Sequence, residues 1–230
     1  MVASSCSNGD YDWAKQVKQF DETKAGVKGL VDTGITKIPE LFVHPRKSLE
    51  SSIEASLELP TIDLGELRSG RQRVVAEIRK AAQEWGFFRI VNHAIPLETM
   101  DAMLAAVKRF HELPNADKAP FYMADTGRRV RFSSNLPTRE DAVACWRDFL
   151  SCVFHDDQLD PEEIPSACRD QVQEYVKYMI ELREVMAELL SEALGLPRDY
   201  LSGIQCMKSQ ALACLYYPKC PEPNRTLGSS

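Results

Sequence analysis

Long apolar runs are missing from these 230 residues: no window approaches the roughly 18 apolar residues that a membrane-spanning helix needs. The N-terminal MVASSCSNGDYDWAKQ likewise lacks a basic stretch followed by an apolar one. Basic blocks are missing too. Twenty-eight Lys and Arg against 34 Asp and Glu leave a formal net charge of −6, so the cationic footprint that displaces counterions from nucleic acid is absent. Neither nucleic acid nor membrane is an expected partner, and the expected location is cytoplasmic. The seven cysteines, Cys6, Cys145, Cys152, Cys168, Cys206, Cys214 and Cys220, form no Cys-x-x-Cys pair. Scattered and odd in number, they read as reduced, buried and inert thiols, which excludes structural zinc and a disulfide framework. Zinc-peptidase, Walker A, dinucleotide-binding and nucleophile-elbow patterns are also absent, so those chemistries have no local support.

What is present is a globular composition, 44% hydrophobic and 27% charged, enough for one large domain or two small ones with a buried core. Residues 1–10 are small and polar and read as a flexible tail. Tyr11 to Thr23 spaces Trp13, Val17 and Phe20 as a helix does, whereas Thr36 to Glu58, with Pro39 and Pro45, predicts an extended connector over the surface. LPTIDL, Leu59 to Leu64, reads as a strand. Between Arg71 and Trp85 the stripe Val74, Ile78, Ala81, Ala82 and Trp85 predicts an amphipathic helix ended by Gly86. Phe87 to Val91 predicts a buried strand. Leu97, Met100, Leu104, Val107 and Phe110 return to helical spacing until Pro114. Phe121 to Tyr122, Val130 to Phe132 and Trp146 to Phe154 read as strands. Val172 to Ala193 is the clearest core-facing helix, stopped by Gly195 and Pro197. A short helix around Arg198 to Ser202 then precedes an apolar strand, Ala211 to Tyr217.

Histidine is scarce and early: His44, His93, His111 and His155, with none later. His155-Asp156-Asp157 fits the literal pattern His-x-Asp, two ligands of a facial triad that leaves iron positions open for substrate and oxygen. A third ligand would have to come from an upstream histidine. The surrounding HDDQLDPEEIP, dense in acid and proline, reads instead as a solvated loop. His93 closes a strand at a turn, and His111 ends a helix, where an imidazolium suits the dipole; both read as structural.

Five segments in order carry a resemblance: LPTIDL at 59–64, AAQEWGFFRIVNHAIP at 81–96, VKRFHELP at 107–114, WRD at 146–148 and LYYPKCPEP at 215–223. They resemble the plant 2-oxoglutarate and Fe(II)-dependent dioxygenases. FDETKAGVKGLVDTGITKIPELF, Phe20 to Phe42, is similar to the subgroup of 1-aminocyclopropane-1-carboxylate oxidase homologues. The resemblance implies an α+β fold: an N-terminal helical region packed on the first strands of an incomplete double-stranded β-helix, or jelly-roll. It divides the chain into the tail at 1–10, a dioxygenase N-terminal region at 11–170, and a long helix with the truncated start of the jelly-roll at 171–230.

In that family two His and one Asp hold Fe(II), which 2-oxoglutarate chelates, and a small specialised metabolite is oxidised. The His-x-Asp pair follows the Tyr-Tyr-Pro strand, with a distal His and an Arg-x-Ser pair further on; these positions would all fall after Ser230. The resemblance therefore assigns no catalytic residue and no metal ligand within this chain. Fe(II) and 2-oxoglutarate belong to the full-length family, and this chain is expected not to bind them. Only Tyr217 matches a cofactor-binding position, where the hydroxyl bonds 2-oxoglutarate; as a strand aromatic it could equally be structural. Leu215 stands where many relatives have Asn. The chain as given is expected to be inactive and poorly soluble, with strand edges unpaired and apolar side chains uncovered. The alternative is a non-catalytic product, a pseudo-enzyme that binds a protein partner through the exposed jelly-roll face.

Overall fold

The computed structural model describes residues 13–44, 58–122, 127–134 and 143–229. The expected tail at 1–10, most of the connector (45–57) and Cys6 lie outside the described residues.

Two small sheets and a set of helices share one long helix. Strands β1 (Thr61–Asp63) and β2 (Arg89–Val91) pair in parallel, Ile62 opposite Ile90, and a parallel pair needs a crossover between its strands. That crossover is helix α3 (Leu67–Glu84), which buries Val74, Ile78 and Ala81. Gly86 ends it by taking φ +77° while its amide reaches back to the Ala81 carbonyl, a backbone state that costs glycine little. Ala82 is exposed and Trp85 only half-buried, so the buried stripe is narrower than the sequence predicts. The WGFF run is not the buried strand expected: Phe87 is 56% exposed and only Arg89–Val91 pairs. Three-residue strands at the margin of a two-stranded sheet bury one face at most.

Beyond β2 the signature Asn-His forms a turn. Asn92, at φ +53°, donates to Asp63 Oδ1 (2.8 Å), which also accepts from the Gly65 amide (2.8 Å). His93 Nδ1 accepts from the Ile95 amide (3.2 Å). Asn92 thus ties the ends of β1 and β2 together, and His93 takes a local bond within the turn.

Helix α4 (Leu97–His111) is present as predicted but faces differently. Its buried arc is Thr99, Met103, Ala106, Val107, Phe110 and His111; Leu97 and Leu104 are 67% and 69% exposed. Where a strand is expected at Phe121 to Tyr122, Phe121 ends a 3₁₀ turn (Ala119–Phe121) and Tyr122 makes a single bridge to Phe132. Strands β3 (Val130–Ser134), β4 (Asp148–Phe154) and β5 (Gln210–Tyr216) form an antiparallel sheet in that order. Helix α6 (Arg169–Ala193) joins the two halves. Its first turns contribute Cys168, Val172 and Val176 to the core between α4 and the β3–β4–β5 sheet, and its last turns place Leu189 and Ala193 against α3 and β1. The short helix expected at Arg198–Ser202 is α7, Tyr200–Gly203, and the turn helix between α4 and β3 is α5, Asn115–Lys118.

The N-terminal segment forms a third cluster. Helices α1 (Trp13–Glu22) and α2 (Gly26–Asp32) precede a turn at Glu40–Phe42. Ile38, Leu41 and Phe42 are at most 6% exposed, packed with Val27, Ala144 and Trp146. The expected surface connector is therefore corrected at its described end: apolar residues spaced without periodicity pack as an irregular strap.

Candidate functional site

Alternation along the three-stranded sheet sends successive side chains to opposite faces. Val130 and Phe132 of β3, Leu150, Cys152 and Phe154 of β4, and Cys214 of β5 enter the core. The register pairs Arg131 with Ser151 and Ser133 with Phe149, and Phe149, Ser151 and Val153 with Leu215, Ala213 and Ala211. These residues form the other face, which no helix covers among the described residues: Ala211 and Ala213 are exposed and Leu215 is 43% exposed, whereas Arg131, Ser133, Phe149 and Val153 are half-buried and Ser151 is buried. Its floor is small and apolar with two serines, and it carries no carboxylate. A guanidinium, that of Arg131, belongs to its edge strand β3.

The two tyrosines of LYYPKCP divide between the faces. Tyr216 points to the core side, its ring stacked on His111 at 4.9 Å and 7°, its hydroxyl donating to the Glu112 carboxylate. That bond holds Glu112 below the usual carboxylate range and, with burial, pushes the Tyr216 phenol up. Tyr217, the sequence-predicted 2-oxoglutarate contact, lies just past β5 on the open side, 50% exposed. Among the described residues its hydroxyl has no partner, and its ring edge stands against Gly228, where a Cβ would come within 2.9 Å.

The WRD segment anchors one end of this sheet. Trp146 donates from Nε1 to the Pro218 carbonyl (3.0 Å) and meets the Phe42 ring edge-on at 5.1 Å. Asp148 is fully buried. Its Oδ1 accepts from the Val27 amide (2.8 Å) and the Ser134 hydroxyl (2.5 Å), and its Oδ2 from the Lys28 amide (2.8 Å). The carboxylate thereby caps the start of α2, where unpaired amides and the helix dipole favour an anion. Burial pushes its carboxyl up, opposed by these bonds and by the buried Lys118 nearby. Lys118 in turn donates to the His111 carbonyl (2.8 Å) and lies 5.5 Å over the Phe132 ring. The segment after β5 straps across the same end: the Ile38 amide donates to Glu222 (2.8 Å), His44 N to the Arg225 carbonyl (2.8 Å) and Trp146 N to the Leu227 carbonyl (2.8 Å).

The four histidines do not converge. His44 lies on the N-terminal strap, His93 at the β2 turn, His111 in the core and His155 in the hairpin after β4. His111 is fully buried, and burial above all lowers its pKa to about 4, with the Lys118 cation adding to the effect. The Cys214 backbone lies close enough to favour the cation slightly, yet neither ring nitrogen makes a hydrogen bond of good geometry. The expectation that His111 serves the helix dipole as an imidazolium is therefore corrected: at neutral pH the ring is uncharged. His155 and Asp156 are exposed in a turn, and Asp157 is held bidentately by Arg183 (2.5 and 2.9 Å), which places the decoy His-x-Asp in the solvated loop its composition predicts. Among the described residues no three of His, Cys, Asp and Glu stand together as metal ligands; they do not fit an iron centre. Among the described residues no helix is long and apolar enough to cross a membrane.

The inert-thiol reading holds for part of the set. Cys145, Cys152, Cys168 and Cys214 are buried, but Cys206 is exposed and Cys220 half-buried. Burial raises the Cys152 thiol and pushes those of Cys168 and Cys214 up to about 12. Arg131, Asp148 and Lys118 escaped sequence reasoning. Charged residues default to the surface, and the only available signal was Arg131 alternating with Val130 and Phe132.

Residues 59–174 match the family described as "non-haem dioxygenase in morphine synthesis N-terminal". The chain is 41% identical over 234 residues to 1-aminocyclopropane-1-carboxylate oxidase homolog 2 of Arabidopsis thaliana, covering 96% of this chain and 62% of that protein. It is 40% identical over 226 residues to a probable 2-oxoacid dependent dioxygenase of the same plant, covering 96% and 63%. With deacetoxyvindoline 4-hydroxylase of Catharanthus roseus the identity is 41% over 224 residues, covering 94% and 56%. The chain thus spans less than two thirds of the length of these relatives. Among solved structures it is similar to JOX2 in complex with 2OG, Fe and JA, with a TM-score of 0.73 and 26% identity over 89% of this chain and 60% of that one. A 2OG-Fe(II) oxygenase family protein of Caulobacter crescentus shares the fold, with a TM-score of 0.59 and 18% identity over 71% and 57%.

Proposed function

The chain belongs to the 2-oxoglutarate and Fe(II)-dependent dioxygenase family, and from that membership we propose that its 230 residues are the N-terminal portion of an enzyme oxidising a small specialised metabolite. The observation that carries the reading is the second face of the antiparallel β3–β4–β5 sheet, which no helix covers among the described residues and which is exposed along β5. In this reading β3–β5 are the first strands of a jelly-roll, residues 11–170 the N-terminal region, and 171–230 the long helix and the start of the barrel. The open face is one wall of the chamber in which substrate and 2-oxoglutarate meet, and the protein works in the cytoplasm. Tyr217, with its free hydroxyl at the end of that wall, is the contact for 2-oxoglutarate.

Iron would supply the oxidising chemistry, and its ligands are not among the described residues. What this chain provides is binding surface. Its small side chains leave room for a ligand, its apolar ones exclude water, and the Asp148 and Trp146 contacts fix the sheet to the N-terminal helices. The 230 residues alone are therefore expected to give no turnover of 2-oxoglutarate to succinate. Sequencing the transcript past the codon for Ser230 tests the reading. An in-frame continuation through a His-x-Asp pair, a distal His and an Arg-x-Ser pair is the expected result. A stop codon at that point would overturn it in favour of a non-catalytic module whose open face, with Leu215 and both alanines exposed, binds a protein partner.

A further inference from the structure

Among the described residues, Arg131 on the open face of the sheet has no counter-charge. Arg131 is flanked in β3 by Val130 and Phe132, 3% and 0% exposed, so its own side chain stands on the opposite, open side. Its Nε is buried and makes no hydrogen bond, and no carboxylate pairs with its guanidinium among the described residues. Nearby arginines are engaged: Arg128 with the Pro120 carbonyl (3.2 Å), Arg129 with the Gln158 carbonyl (3.3 Å) and Arg183 with Asp157. Arg147, the other arginine with an orphaned Nε, reaches Ser229 Oγ (3.4 Å) through Nη1.

A guanidinium cannot relieve partial dehydration by giving up its proton, because its pKa stays far above any working pH. Unlike a buried lysine or histidine it must remain charged, and an anion reaching this face would offset the partial dehydration. Its planar fork matches a carboxylate through two parallel hydrogen bonds. The residues around it leave space and set the rest of the ligand's character. Ser151 and Ser133 are small, Ala213 lies one strand further across, and Phe149, Val153 and Leu215 supply an apolar frame.

We propose that Arg131 selects the substrate of this enzyme, a small molecule carrying a carboxylate on an apolar body. The proposal rests on reading the open face as a substrate chamber and names what that chamber takes. The carboxylate is not that of the cosubstrate, because Arg131 lies level with Ser151 and Ala213. Tyr217 lies just past β5, four residues beyond Ala213, about 13 Å along the strand direction at the rise of a strand, and two strands across from Arg131.

Binding of phenylacetate and its neutral isostere phenylacetamide to the 230-residue chain, fused to a solubilising carrier, tests this by calorimetry. Phenylacetate should bind about tenfold tighter, the value of a charge-assisted hydrogen-bond pair. Arg131→Gln should erase the preference and Arg131→Lys should keep part of it, with circular dichroism confirming that both variants fold. Equal binding of acid and amide, absence of saturable phenylacetate binding, or a preference that survives in Arg131→Gln would each overturn the assignment. The two readings fail separately. Lost selectivity beside an in-frame His-x-Asp continuation sinks only the role of Arg131, and a stop codon beside intact selectivity sinks only the dioxygenase reading.

Discussion

Replacing Asp148 by Ala should undock the N-terminal helices while leaving the antiparallel sheet in place. The carboxylate takes two backbone amides and a hydroxyl, and each bond to a charged acceptor contributes about 1.5–3 kcal/mol. Removing a buried carboxylate also removes its own desolvation cost, which is substantial because burial pushes this carboxyl up. Lys118, 0% exposed, then loses its nearby anion, and removing one partner of a buried charge pair costs about 3–5 kcal/mol. A net loss of about 3 kcal/mol follows, large against the roughly 5–15 kcal/mol that holds a domain folded. Asp148→Asn should lose nearly as much. Both carboxylate oxygens face N–H donors, so the amide nitrogen of Asn would point at the Lys28 or Val27 amide. Gly26→Ala attacks the same contact from the other side, with a Cβ 2.7 Å from Asp148 Oδ1 at φ +70°. The double variant should fall short of additivity, as coupled neighbours do. Urea unfolding followed by tryptophan fluorescence measures the loss, and hydrogen exchange at Val27–Asp32 locates it. A change below about 1 kcal/mol for Asp148→Ala, with exchange at α2 unaltered, would refute the reasoning.

Acid should destabilise the fold through His111. Its pKa is 6.5 as an ordinary histidine and about 4 in the fold, so the unfolded chain takes up its proton first. Stability is complete above about pH 6.5 and falls by roughly 3 kcal/mol as the pH drops toward 4. Denaturation midpoints across that range check this, and His111→Phe should flatten the slope. Timed alkylation read by mass spectrometry should modify Cys206 first among the described cysteines, with Cys152, Cys168 and Cys214 reacting roughly a hundredfold more slowly until the chain unfolds. Equal rates would mean that the core between α4 and the sheet opens readily.

Periodicity made α3, α4 and α6 legible, because a helix repeats its buried face over several turns. It misplaced the face of α4 because Leu97 and Leu104 are better hydrophobes than the Thr99 and His111 that are buried, and composition does not say which neighbour arrives. The strap at Ile38–Phe42 was lost for a related reason: an irregular segment packs without a repeat. The resemblance located the WRD and YYP segments but not their work. That Asp148 caps a helix more than a hundred residues upstream depends on tertiary proximity, which spacing along the chain does not encode. Tyr217 was readable only by analogy, and the structure adds where it stands. Arg131 was unreadable, since an arginine in a strand is unremarkable until its face is known.

The two tyrosines at the end of β5 bear on how such a protein can diversify. Tyr216 is locked to His111 and Glu112, while Ala211, Ala213 and Leu215 on the same strand touch no cluster of the core. In the proposed chamber, a mutation at one of these odd-numbered positions would change what a ligand meets without disturbing what keeps the chain folded. A mutation at an even-numbered position does the reverse. Descendants of one scaffold can therefore explore new ligands along every second residue of β5, and selection for a new ligand and selection for stability act there on separate letters of the sequence.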